Sequence, residues 1–209
     1  MAGRATLFFL LAAATLPATG RADPVSACLD TGGDLAAVTE ALGQDGWTPV
    51  DLATPLPDRV VESALWPLAA TYLEADTGGA SLAEIVAMQR RAVEGLALKR
   101  DLPGSRTRLL TRRAGDQIDT VLVTAVQVLP DMAELSCRFA LTDPTAAARD
   151  GSNGLEVAPP VFEADANGGY RTTHSTALDP EAIAARLGAP VPVTAIVETT
   201  LRHSNEVPQ

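Results

Sequence analysis

The most regular apolar pattern is helical and lies between residues 81 and 96. Ser81 and Glu84 have the spacing of a capping box, in which each side chain bonds a free amide at the start of a helix. We therefore predict a helix that begins after Ser81 and buries one face. On a helical wheel, the positions within an arc of about 100 degrees are Leu82, Ile85, Val86, Gln89, Val93 and Leu96.

After residue 104 the apolar residues alternate with polar ones, as they do in strands with one buried face. Residues 107–113, 117–128 and 134–142 are three predicted strands, and only short turns separate them. Because connections this short join antiparallel neighbours, we predict a three-strand meander. In its third strand, the alternation directs Cys137 and Phe139 toward the core.

Upstream of the meander, the sequence predicts two further helices and an extended segment. Residues 31–42 predict a helix capped at Thr31, and residues 47–52 predict the extended segment. Residues 58–73 are helical in pattern, but Pro67 should split this helix because proline cannot donate the internal hydrogen bond.

Downstream of the meander, the pattern predicts a hairpin, a helix and a last strand. The hairpin pairs residues 157–162 with residues 170–177 around an Asn-Gly-Gly turn. The helix begins at Pro180 and ends at Gly188, and residues 193–201 form the strand. Together these elements predict an α+β fold, with N-terminal helices packed on an antiparallel sheet and a C-terminal helix-strand unit.

The composition of the 209-residue chain excludes some classes of partner. Its 26 acidic and 16 basic side chains give a formal net charge of −10, and only 4% of its residues are aromatic. Nucleic-acid affinity comes mainly from Lys and Arg that neutralise phosphates, so we expect no nucleic-acid partner. The scarcity of aromatic rings also argues against base-stacking or sugar-binding aromatic surfaces.

Residues 1–22 have the layout of a secretory signal peptide. Arg4 precedes an apolar run, and a stretch of small and polar residues ends at Ala22, where we predict cleavage. The apolar run is shorter than the roughly 20 residues that cross a bilayer, and no later segment is long enough. We therefore expect residues 23–209 to form a single soluble α+β domain without an integral membrane segment.

The composition also favours a bacterial, periplasmic or secreted protein. The chain has 15 Arg but a single Lys and is rich in Ala, which is typical of a GC-rich bacterial genome. Residues 25–28 loosely resemble the lipobox that precedes an acylated cysteine. Polar residues and Pro24 separate them from the apolar run, so lipidation is the lesser alternative.

Cys28 and Cys137 are the only cysteines, and we predict that they form a disulfide bond. Two cysteines in an oxidising compartment usually pair. The bond would attach the N-terminal segment to the third strand of the meander. A reactive thiol is the alternative, but the chain contains no C-x-x-C motif.

No motif in the sequence identifies catalytic residues, so whether the protein is an enzyme stays undecided. Ser81 lacks the second glycine of a nucleophile elbow and is explained by helix capping. His174 shares a predicted strand face with Tyr170 and Thr172, and it is the first candidate general base.

Metal and cofactor binding are not indicated by the sequence. His174 and His203 are far apart, without the short spacing of zinc ligands. Residues 163–168 resemble the opening of a calcium loop, but His174 occupies the position of the bidentate glutamate. We expect neither a metal nor a cofactor, and a simple hairpin turn is the preferred interpretation of residues 163–168.

The charge is distributed unevenly, and residues 90–113 form a basic segment. Eight basic side chains in this segment accompany only Glu94 and Asp101, a local balance of +6. Guanidinium groups form paired hydrogen bonds to carboxylates and phosphates. The candidate binding residues for an anionic ligand or an acidic envelope protein are Arg106, Arg108, Arg112 and Arg113. The alternative is a set of surface arginines neutralised by the acidic remainder of the chain.

The preferred hypothesis is an exported, periplasmic bacterial protein that acts as a non-enzymatic binding or interaction module. The alternative is a periplasmic hydrolase that uses carboxylates as acid and base, with His174 assisting. A cleft with paired carboxylates would favour the hydrolase, whereas a charged or apolar patch would favour the binding module.

Signal-peptide cleavage makes the first testable prediction. Expressed in a Gram-negative host, the protein should reach the periplasmic fraction with Asp23 as its first residue, as intact mass and N-terminal sequencing would show. A Leu10→Arg variant, which interrupts the apolar run, should stay cytoplasmic at full length. A wild-type protein that remains in the cytoplasm and keeps Met1 would contradict the assignment.

Overall fold

Helices and strands form the α+β fold that the sequence predicts. The computed structural model describes residues 24–74, 81–99, 101–143, 155–157, 160–164 and 169–204. The predicted signal peptide and residues 165–168 of the predicted hairpin turn lie outside the described residues. The helices are α1 (Pro24–Leu29), α2 (Leu35–Gln44), α3 (Asp58–Ala64), α4 (Trp66–Glu74), α5 (Leu82–Glu94) and α6 (Pro180–Leu187), and a 3₁₀ turn spans Gly95–Lys99.

The described strands pair in one antiparallel sheet with the central order β3-β4-β5-β9-β8. The meander is confirmed as β3, β4 and β5, and α6 with β9 is the predicted C-terminal helix-strand unit. β1 and β2 pair with the outer edge of β3, and β6 and β7 pair with β8. The strands are β1 (Thr48–Pro49), β2 (Asp101–Leu102), β3 (Ser105–Ala114), β4 (Gln117–Leu129), β5 (Met132–Leu141), β6 (Leu155–Val157), β7 (Val161–Ala164), β8 (Tyr170–Leu178) and β9 (Ala195–Ser204).

Helices cover both faces of this sheet. Neighbouring strand residues point to opposite sides, and apolar side chains lie on both of these sides. The α1–α2 face carries Val121, Phe139 and Val197, which pack with α1 and α2 in one core. The α3–α6 face carries Leu122 and Ile196, which pack with the later helices in a second core. The predicted N-terminal helices therefore do pack on the sheet, but they divide between its two faces.

Local sequence signals explain where most helices begin and end. The predicted capping box is present, since Glu84 N donates to Ser81 Oγ and the Glu84 carboxylate accepts from Ser81 N. The hydrogen bonds from the Ser81 backbone and hydroxyl hold the pKa of Glu84 below its ordinary value. The helical pattern around Pro67 is split as expected, into α3 and α4 on either side of Leu65.

Three details differ from the sequence-based predictions. α2 is capped by Asp34, whose Oδ1 accepts from Ala37 N at 2.8 Å, whereas Thr31 donates to Ala27 O. α1 was not indicated by the sequence, because six residues are too few to show a helical period. The first arm of the predicted hairpin is two short strands, β6 and β7, which pair with different parts of β8.

The predicted disulfide bond joins Cys28 of α1 to Cys137 of β5, and both residues are fully buried. Their Cα atoms are 6.4 Å apart. The bond fixes α1 against the α1–α2 face, and it is consistent with an oxidising compartment. In the described part of the chain, no helix has the length and apolarity needed to span a membrane.

We expect the disulfide bond to contribute strongly to stability, because it closes a loop with a sequence separation of 109 residues. In the chain-entropy model, such a loop corresponds to about 4–5 kcal/mol. A Cys28→Ala/Cys137→Ala variant should therefore unfold at a clearly lower urea concentration than the oxidised protein. Reduced wild-type protein is the matched control, and two free thiols in the unfolded, unreduced protein would contradict the bond.

Candidate anion-binding site

The four predicted binding arginines lie on β3, but they do not form one surface. Side chains alternate along the strand, so Arg106, Arg108 and Arg112 lie on the α1–α2 face. Arg113 lies on the α3–α6 face, opposite Ile118 of β4. Each arginine therefore has to be considered in its own surroundings.

Arg112 is committed to an ion pair inside the protein. Its Nη2 and Nε donate to Asp119 Oδ2 at 2.8 and 3.2 Å, and the two side chains are only 11% and 4% exposed. Asp119 Oδ1 accepts from the backbone and hydroxyl of Thr142. The guanidinium also lies 4.5 Å from the ring centroid of Trp47. Arg112 thus links β3, β4 and the end of β5, and it has little surface left for a ligand.

Arg106 and Arg108 are more accessible, and Arg106 lies beside a groove. Arg108 forms an ion pair with Asp101 at 3.1 Å. Arg106 is exposed, makes no ion pair with any described residue, and lines a groove of about 450 Å³. Asp34 lines the same groove, so the groove is of mixed charge.

His203 forms another wall of the Arg106 groove. Its ring contacts the backbone at Gly33, where an added Cβ would lie 2.0 Å from His203 Cε1. Gly33 also has a φ of +79°, which other residues rarely adopt. Both facts require glycine at this position, and they fix the loop between α1 and α2 against the end of β9.

Arg113 lines a second groove, of about 490 Å³, on the α3–α6 face. Arg59 from the first turn of α3 lines the same groove, together with Thr48 and Thr111, which are opposite each other on β1 and β3. Arg59 and Arg113 are exposed and make no ion pair with the described residues. No acidic side chain of those residues lines this groove. We call it the Arg59–Arg113 groove.

The local sequence explains how these groups come together. Pro57 immediately precedes α3 and places Arg59 in its first turn. Thr111 and Arg113 are two residues apart on one strand and therefore point to the same side. The sequence offers no signal for Arg59, because its proximity to Arg113 arises only from the packing of α3 on the sheet.

His174 lies on a half-exposed polar part of the α3–α6 face. On β9 its partner in the strand register is Glu198, which accepts a hydrogen bond from Arg138 Nε of β5 at 2.7 Å. Farther along this face, beyond Thr200, Arg202 forms an ion pair with Glu134 at 2.6 Å. The carboxylate that faces the candidate general base is thus already bound by a guanidinium.

Tyr170 lies at the end of this polar surface, where its partner in the strand register is Arg202. Its ring stacks on Phe162 at 5.5 Å on one side, and Arg202 lies 4.8 Å from its centroid. Burial, and then the nearby charge of Glu134, raise the pKa of the Tyr170 hydroxyl. The hydroxyl therefore stays protonated at neutral pH, and it donates to Glu134 Oε2 at 3.3 Å.

The segment that resembles a calcium loop is only partly described. Glu163 lies on β7, and its carboxylate forms an ion pair with Arg171 at 3.0 Å, while residues 165–168 lie outside the described residues. Within the described ranges, no group of three or more His, Cys, Asp or Glu side chains is placed to hold a metal ion.

No protein-family model, curated protein sequence or solved structure shows a significant match to this chain.

Arg112 and Arg113 are adjacent, but we expect the loss of Arg112 to destabilise the fold far more than the loss of Arg113. Arg112→Ala would leave the buried Asp119 carboxylate unpaired, which typically costs about 3–5 kcal/mol. Arg113→Ala removes an exposed and unpaired side chain, so the change should stay within about 0.5 kcal/mol. Urea unfolding of both variants measures this difference. Equal stabilities would contradict the structural role assigned to Arg112.

Proposed function

We propose that the protein is an extracytoplasmic binding module whose ligand carries a carboxylate or phosphate group. The observation that carries this proposal is the Arg59–Arg113 groove. Two guanidinium groups without an ion-pair partner among the described residues line a groove that no acidic side chain of those residues enters. Guanidinium groups bind planar and tetrahedral anions through paired hydrogen bonds, and the hydroxyls of Thr48 and Thr111 offer additional donors.

The negative charge of the whole chain does not prevent anion binding at this groove. At physiological ionic strength, charges farther away than about 8 Å are largely screened. Arg59 and Arg113 line the groove itself, so they act on a bound anion at shorter range than the distant acidic side chains do. The acidic remainder would slow non-specific accumulation of anions elsewhere on the surface.

The chemistry of the groove favours binding over catalysis. Its described lining contains Thr, Arg, Gly and apolar residues, and none of these is a usual general base at neutral pH. The hydrolase alternative would instead act at His174. Its partner in the strand register is Glu198, and Oε1 of this carboxylate already accepts a hydrogen bond from Arg138 Nε.

The Cys28–Cys137 bond supports a location outside the cytoplasm, because structural disulfides persist in oxidising compartments. We therefore propose the periplasm or the extracellular space as the site of action. A ligand with a free carboxylate or phosphate group would be captured there without chemical change.

Titration of the oxidised protein with inorganic phosphate at low ionic strength tests the proposal. In heteronuclear NMR spectra, the amide signals of Thr48, Thr111 and Arg113 should shift together. An Arg59→Ala/Arg113→Ala variant should bind phosphate at least tenfold more weakly, since each charge-assisted hydrogen bond contributes about 1.5–3 kcal/mol. Added sodium chloride should weaken binding to the wild-type protein.

The matched control is Arg106→Ala/Arg108→Ala, which removes the same charge from the opposite face of the sheet. This variant should bind phosphate as the wild-type protein does. Shifts centred on Gly33 and Gln127 would assign the ligand to the Arg106 groove instead. Binding that neither pair of substitutions weakens, or that salt does not change, would refute the proposed function.

A further inference from the structure

A smaller groove of about 290 Å³ adjoins the Arg59–Arg113 groove. It lies between α3, the start of β4 and the segment that follows α6. Arg59 and Ile118 line both grooves, so the two are continuous at these side chains. We call the smaller one the proline groove, because Pro190 and Pro192 form its outer wall.

The surface that runs through both grooves changes from charged to apolar. Ile118 is partly buried and packs against the core on the α3–α6 face. On one side of it, the two guanidinium groups line the larger groove. On the other side, two prolines without side-chain donors or acceptors extend the apolar surface. A ligand that fits this gradient has an anionic head and an apolar tail.

Two acidic side chains also line the proline groove. Glu62 lines the proline groove and accepts from Arg90 Nη2 at 2.7 Å. Asp116 lines it from the turn between β3 and β4. These two carboxylates disfavour a second negative group on the part of a ligand that enters the proline groove, because like charges repel across a short distance.

We propose that the ligand is an amphipathic monocarboxylate. Its carboxylate lies between Arg59 and Arg113, and its hydrocarbon tail passes Ile118 and lies against Pro190 and Pro192. This inference rests on the proposed function and adds the class of ligand to it. The head supplies the charge complementarity, and burial of the tail supplies the selectivity for chain length.

A chain-length series tests the inference separately from the proposed function. We would titrate the oxidised protein with butanoate, hexanoate and octanoate, and follow the amide signals of Ile118 and Gln117 by NMR. Each added methylene should strengthen binding by up to about fourfold, the factor expected for a buried methylene group. Octanedioate, with the same length and a second carboxylate, should bind no more tightly than butanoate.

Two variants connect the chain-length effect to the proline groove. Pro190→Gln places an amide on the exposed outer wall and should weaken octanoate binding several-fold, with phosphate binding unchanged. Pro130→Gln, in the exposed turn between β4 and β5, is the matched control and should change neither. Ile118→Thr keeps a β-branched residue in the strand and should reduce the gain per methylene.

The outcomes separate the two proposals. If phosphate binds through Arg59 and Arg113 but affinity does not rise with chain length, the proposed function stands and the monocarboxylate inference is wrong. If octanedioate binds as tightly as octanoate, the assigned position of the tail is also wrong. If affinity rises with chain length equally in the Arg59→Ala/Arg113→Ala variant, the tail binds elsewhere, and the inference fails.

Discussion

The bond between Cys28 and Cys137 constrains the layered arrangement of the whole molecule. α1 is only six residues long, which is too short to be a stable helix without tertiary support. The covalent link holds it against β5, and α2 can then cover the remainder of that face with Val38 and Leu42. Both faces of the sheet are buried at the middle of β3, so the exposed residues of this strand, Arg106 and Arg113, lie near its ends.

This confinement decides which arginines are structural and which are free to bind. Arg112 lies over Trp47 and is neutralised by Asp119, whereas Arg113, one residue later, points to the other side of the sheet and lies near Arg59. The arginines of one basic segment can therefore have different roles, some structural and some available to bind a ligand. The buried ion pair fixes the β3–β4 hairpin, and that hairpin in turn holds the exposed arginine at a defined place beside α3.

Caps, turns and strand alternation could be predicted from sequence because they depend on neighbours along the chain. The capping box at Ser81, the helix from Pro180 and the inward orientation of Cys137 are of this kind. The pairing of Arg112 with Asp119 could also be predicted from the sequence, since a tight turn between β3 and β4 places the two residues opposite each other. The position of Arg59 in the same groove as Arg113 could not be predicted from the sequence, because it depends on how a helix packs on the sheet.

The position of β9 has a consequence for the order of events during biosynthesis. This strand contains the last described residues, Ala195–Ser204, yet it lies between β5 and β8 and pairs with both. Until β9 has been synthesised, β8 has no described neighbour that joins it to the meander. We therefore expect the insertion of β9 between β5 and β8 to be the step that completes the described sheet.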